Sequence, residues 1–421
     1  MIKYTLILIL QLCFFSQINA QFDDIEFEDL VYYDHLKSVE FIHDRQFGEL
    51  PIVNLKRPAS LLLKFDDLEA GDKLYTYRII HCNRNWQPSE LDDFEYLDGF
   101  NGEEIDNIQY SAGTLQDYTH YELTLPNDDI RWTLSGNYLL VVYEGEIDEG
   151  IPVISKKFMV TEQIASIGMQ VDNPRSVMYL KSHHKINLTL NLLKNRVSNP
   201  LEEITATIYQ NARWDNVQSE LYAENILANQ LIWRNNPEVI FGAAKPFRNF
   251  RFFSLKYVTD FIFSIDLEKD NTYILLDLQQ SRKERRFIDD FDLNGRSFSR
   301  NDDRPNTDTQ SEYAKVIFTY EQDWPYDKDM YIIGAFNNWK ALPAYKMDYV
   351  EEDRLYYKEL YLKQGYYDYF FATSDGEVTS TEETEGNFFE TANQYTAIIY
   401  YAEYGTRFDR IIAVNHVQSE F

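Results

Sequence analysis

Apolar and polar residues alternate with a period of two along most of this chain. In KINLTLNLL, Ile186, Leu188, Leu190 and Leu192 fall on one side while Asn187, Thr189 and Asn191 take the other, the mark of a strand with one wet face. SLLLKF brings Leu61, Leu63 and Phe65 together, and ISKKFMV does the same with Ile154, Lys156, Phe158 and Val160. NYLLVVYE, TYILLDL, AKVIFTY, LYYKELYL, YYDYFFA and YTAIIYYAE add further strand-like runs. Long amphipathic helical patterns are scarce. Short strands between turns of Gly, Asn and Asp predict an all-β chain of antiparallel sandwiches.

The pattern lapses at places that serve as expected boundaries. A first domain is predicted over 21–161, a middle β-rich domain over 162–309 and a third domain over 310–421. The stretch NDDRPNTDTQSE, Asn301 to Glu312, is polar, acidic and aperiodic, and is expected to be a linker or long loop. Ahead of the first domain, residues 1–20 carry Lys3, an apolar run from Leu6 to Phe15 and a terminal Ala20. That is the layout of a cleavable secretory signal, with processing before Gln21. Cys13 is not a lipidation site, because Leu12 stands where a small residue is required. No later run reaches the eighteen or more apolar residues of a spanning helix, so a soluble, exported mature chain is expected.

Export changes the reading of the cysteines. Cleavage leaves Cys82 alone, so no intramolecular disulfide can form and stability must come from the core. The 32 Tyr and 28 Phe supply large cross-strand contact area for that core. The formal charge of −29 argues against nucleic acid and anionic membrane surfaces as partners, since both call for clustered Lys and Arg.

Candidate chemistry is thin. His81 and Cys82 are adjacent in a strand pattern, as are His183 and His184 just before one. Neighbouring side chains in a strand diverge to opposite faces, so neither pair makes a metal or nucleophile site. His81 is expected to be satisfied by a backbone hydrogen bond beside a packed Cys82, and the His183–His184 pair to be solvent-exposed. DFDLNG, with Asp290, Asp292 and Asn294, matches the opening of a calcium loop, but Asn301 stands at the twelfth position where a bidentate Glu would close the cage. A tight turn at Asn294 and Gly295 is the default reading. SRKERRF, with Arg282, Lys283, Arg285 and Arg286, is the one dense basic run and a candidate partner patch. No catalytic motif, no cofactor loop and no nucleotide cradle is present, and the chain is expected not to be an enzyme.

In the third domain, YIIGAFNNWK (Tyr331 to Lys340) and LKQGYYDYFFA (Leu362 to Ala372) resemble strands of the immunoglobulin-like glycogen-binding modules. In that comparison Trp339 takes the place of a sugar platform, which makes periplasmic carbohydrate binding the alternative function. The segment that should bring the second stacking Trp, TSDGEVTS, has no aromatic residue, so the likeness implies an immunoglobulin-like fold more than a ligand.

A wider resemblance covers nearly the whole mature chain. FDDL (Phe65 to Leu68), HCNRNWQPSEL (His81 to Leu91), EYLDGF (Glu95 to Phe100), TLQDYTHYELTLPND (Thr114 to Asp128) and SGNYLLVVYE (Ser135 to Glu144) come in order, followed by QNARWDN (Gln210 to Asn216), DFDLNG and LKQGYYDYFF. These blocks resemble the type IX secretion plug proteins of Bacteroidetes. GAAKPFRNF, Gly242 to Phe250, departs from the family's glycine-rich segment at Lys245 and Pro246. The resemblance implies tandem immunoglobulin-like β-sandwich domains in the periplasm. It further implies a non-catalytic subunit, without cofactors, that docks on a large outer-membrane β-barrel translocon and closes its periplasmic end without entering the membrane.

Overall fold

The computed structural model describes residues 25–43, 49–57, 59–191, 197–235 and 238–419. The expected signal at 1–20, with Cys13, lies outside the described residues. The described chain is all-β, with sheets packed face to face around three large apolar cores. Among the described residues no helix is long and apolar enough to cross a membrane.

The first module sets the sheet containing Tyr75–Cys82, Gly136–Glu144 and Ile151–Thr161 against the sheet of Leu36–His43, Leu61–Asp67, Thr119–Leu125 and Asn107–Tyr110. Leu61, Leu63 and Phe65 point into the space between, where they meet Tyr77, Ile79, Tyr138 and Phe158. Period-two alternation is what lets one strand feed this core and still present its other side elsewhere. Ile151–Thr161 departs from one-sided burial: Ser155, Lys156, Lys157 and Met159 are buried along with Ile154 and Phe158. Glu28 and Asp29 cover Ser155 and Lys157, the second module packs on Met159 and Lys157, and Asp29 and third-module Asn338 take the Lys156 ammonium.

The second and third modules differ from the expected division at 309/310. The strand Ile204–Gln210 pairs with Gln394–Tyr401, whose other neighbour is Arg410–Gln418, so the second module's core takes Tyr395, Ile399 and Ile412 from the end of the chain. The third module begins well before residue 310. Arg248–Arg251 and Ser297–Ser299 both pair with Gly365–Ser374, and Thr272–Leu276 runs parallel to Tyr313–Glu321. It is therefore inserted within the second. Strand periodicity is a local property and carries no record of which distant strand completes the sheet.

Asn301–Glu312 is likewise not a linker. It holds the short helix Thr307–Gln310, capped by the Asn306 side chain on the amides of Asp308 and Thr309. Thr309, Ser311 and Glu312 are buried, wedged between the first and third modules. A polar stretch looks like a tether in sequence, yet here its polar groups are consumed by hydrogen bonds across a joint.

Candidate functional site at the module joints

The joint between the first and second modules is built from aromatic rings and ion pairs. Trp86 and Trp214 meet edge to face with centroids 5.2 Å apart, and the Lys157 ammonium lies 4.8 Å above the Trp86 ring. The Arg84 backbone amide donates to Asp409 at 2.9 Å, and its guanidinium to the same carboxylate at 3.2 Å. Arg410 clamps Glu162 with two bonds of 2.8 Å, and the Tyr400 hydroxyl donates to Asn137 at 2.8 Å. The HCNRNW and QNARWDN blocks thus supply opposite sides of one contact.

The joint between the first and third modules is centred on a fully buried carboxylate. Asp66 accepts from the Lys363 ammonium, the Tyr313 hydroxyl and His120 Nδ1, each at 2.6 Å. Burial alone would lift the Asp66 carboxyl, but Lys363 and His120 hold it below its usual value. Lys363 also lies 4.5 Å from the Tyr118 ring centroid, and Tyr118 donates to the carbonyls of Asp308 and Ser311 at 3.1 Å. Two groupings have the ligand types of a metal site: His120, Glu122 and Asp308 at this joint, and His35, Asp67 and Glu69 within the first module. Each already contains an ammonium. Lys64 sits 3.0 Å from Glu122 and 3.1 Å from Asp308, and Lys73 sits 3.0 Å from Asp67 and 2.5 Å from Glu69.

Where all three modules meet there is a cleft of about 620 Å³, lined by Glu40, Lys156, Arg213, Arg296, Ser299 and Trp339 among others. Glu40 accepts from the Ser299 amide and hydroxyl at 3.1 and 3.2 Å, and burial raises its carboxyl. Trp339 is only 6% exposed. The Arg213 guanidinium covers its ring at 4.2 Å, Phe247 packs 5.2 Å away, and Gly295 lies so close that a Cβ there would come within 2.7 Å of the indole. The indole is spent on packing, which leaves no open platform for a sugar face.

The DFDLNG segment is a turn wrapped around carboxylates. Asn294 and Gly295 take φ of 55° and 85°, as the sequence predicts. Asp292 accepts from the amides of Phe247 at 2.7 Å and Asn294 at 2.8 Å. Asp368, from the tyrosine-rich strand, accepts from the amides of Leu293, Gly295 and Arg296 and from the Tyr366 hydroxyl. Burial, with Asp292 nearby, pushes the Asp368 carboxyl up to about 7 against these four donors. Asp290 is exposed and stands apart.

The basic run divides. Arg282 turns inward to Glu385 at 2.6 Å and the Pro246 carbonyl at 2.8 Å, while Lys283, Arg285 and Arg286 remain on the surface. Buried Lys245 ties the run down by donating to the carbonyls of Arg282 and Arg285. The departure at Lys245 is therefore a structural fastener.

His81 and Cys82 are packed. His81 bonds the Ser89 hydroxyl at 2.9 Å and the Ser135 carbonyl at 3.3 Å. The His183–His184 pair corrects expectation. His184 is fully buried, bonded to Tyr395 at 2.8 Å and the Phe389 carbonyl at 2.6 Å, because the returning C-terminal strand covers the strand start. Burial drives His81 down to about 4 and lowers His184 as well. The unfolded chain then binds protons that the folded one refuses between about pH 6.5 and pH 4, and stability falls as pH falls through that window. For His81 the loss is on the order of 3 kcal/mol. His81→Asn is expected to flatten the melting temperature against pH over this range, and a slope equal to wild type would refute the assignment.

The comparisons with known proteins agree with this architecture. Residues 36–162 match the type 9 secretion system plug protein 1st domain, an interval that ends one residue after the first module's last strand, Ile151–Thr161. The crystal structure of a hypothetical protein from Parabacteroides merdae ATCC 43184 is similar at 30% identity and a TM-score of 0.88, covering 94% of this chain and 100% of that one. The C-terminal domain of the Streptococcus pyogenes antigen I/II-family protein AspA aligns over 92% of this chain and 99% of that one, but at 8% identity and a TM-score of 0.17 it carries no argument. No curated protein matches. With its first module matched and the three-module arrangement shared by a 30%-identical relative, the chain belongs to the type 9 secretion system plug protein family.

Proposed function

We propose that this chain is a periplasmic, non-catalytic subunit that closes the periplasmic end of the type IX secretion outer-membrane translocon while no substrate is engaged. The observation that carries the reading is the plug-protein first domain over 36–162. The joints support it physically. A wide aqueous pore leaks unless blocked, and blocking needs a body that keeps its shape. Buried ion pairs and interlocked rings at both joints make three sandwiches behave as one such body. Release then comes from a competing ligand or from a change in the barrel that weakens its differential affinity for the plug.

Affinity isolation of the tagged full chain from detergent-solubilised envelopes is expected to recover a large outer-membrane barrel, and deletion is expected to raise permeability to large solutes. Unchanged permeability together with no co-isolated barrel would sink the reading.

A further inference from the structure

The third module leaves one sheet edge open and apolar. Its five-stranded sheet runs Ile262–Leu267, Thr272–Leu276, Tyr313–Glu321, Leu355–Lys363, Asp348–Val350, so Ile262–Leu267 is an edge strand with no neighbour on its outer side among the described residues. Ile262 turns inward to the core. Phe263 sits in a register shift opposite Leu275 and Leu276 and faces solvent at 71% exposure, with Leu267 at 64%. Phe261, whose carbonyl holds the Asp277 amide at 3.0 Å, is exposed, as are Tyr257, Val258 and the adjoining Leu278. Behind Phe263, half-buried Leu275 and Ile317 are registered neighbours, so the apolar strip continues onto the outer face of the sheet.

An unpaired edge offers a row of amides and carbonyls that an added strand satisfies. Exposed aromatic and aliphatic side chains beside it are the anchors that make such an addition stick. Charge decides the occupant. From Phe261 to Leu278 there are the carboxylates Asp266, Glu268, Asp270 and Asp277 against the single cation Lys269. An anionic lipid surface is repelled by that set, and a second copy of a chain carrying −29 is disfavoured by the same sign. We infer that the edge strand Ile262–Leu267 receives an extended, basic segment of the secretion-system component on which this protein docks, added as a further strand of the third module's sheet. The inference rests on the plug reading and assigns it a docking surface.

The test uses the tagged full-length chain in its native envelope, comparing wild type, Phe263→Glu/Leu267→Glu, and Phe94→Glu. Phe94 is a control on the first module at 78% exposure. The double variant is expected to recover about tenfold less barrel than wild type, roughly 1.4 kcal/mol of binding, with an unchanged melting temperature. Phe94→Glu is expected to recover the wild-type amount. A photo-crosslinker at position 263 is expected to join the chain to the same component. Wild-type recovery by the double variant overturns the inference and leaves the plug reading standing, as does a crosslink to lipid or to a second copy. No barrel recovered with wild type overturns both.

Discussion

Asp66→Asn is expected to cost about 3–5 kcal/mol and to loosen the first module from the third. The substitution keeps size and shape but removes the charge that Lys363, itself 2% exposed, was buried against. An ammonium left there without its counter-ion must be desolvated for nothing or lose its proton. The three donors now converging on one carboxylate, from Lys363, Tyr313 and His120, would face an amide that can accept only part of them. Calorimetry of the purified chain is the measurement. A lowered melting temperature, or two transitions in place of one, is the expected result; an unshifted single transition would show that the joint does not depend on this ion pair. Adding Lys363→Met to Asp66→Asn should restore part of the loss, since a missing pair costs less than a broken one.

The second large effect is expected at Glu385, inside the third module. Its fully buried carboxylate accepts from Arg248 at 2.9 and 3.2 Å, from Arg282 at 2.6 Å and from the Phe371 amide at 3.2 Å. Burial works to raise this carboxyl, but the two guanidinium groups hold it below its ordinary value. Glu385→Gln would leave two guanidinium groups together without compensation, a cost of about 3–5 kcal/mol. Lys283→Ala, one residue along from Arg282 but exposed, is expected to stay within about 0.5 kcal/mol of wild type. Equal melting temperatures for Glu385→Gln and wild type would refute the role given to the triad.

The core strands, the Asp66 joint and Trp339 differ in how far the sequence revealed them. Alternation in Leu61, Leu63, Phe65 and in Ile186, Leu188, Leu190 marked true core positions, because burial of one strand face leaves a period that needs no partner to be visible. Pairing left no such trace. Ile204–Gln210 is buried along its whole length and its partner lies near the chain's end, so the insertion of one module into another was not legible. The FDDL and LQDYTHY blocks stood out as motifs, while their meeting at Asp66 and His120 depended on Lys363, 297 residues further on. One signal was present: two adjacent acids continuing a strand of core residues must find cations or protons once buried. Trp339 failed in the opposite direction, since its local motif suggested an exposed platform and Arg213, from another module, covers it.

Because the final strands Gln394–Tyr401 and Arg410–Gln418 complete the second module's sheet, the order of assembly as the chain is synthesised follows from the topology. The first module has all its strands once Thr161 has emerged and can collapse at once. The second must wait, half made, until the whole third has been synthesised, holding open an apolar sheet face in the meantime. A stop codon anywhere after the third module would therefore spoil a module encoded mostly far upstream, and a holdase chaperone has its natural client in that waiting intermediate.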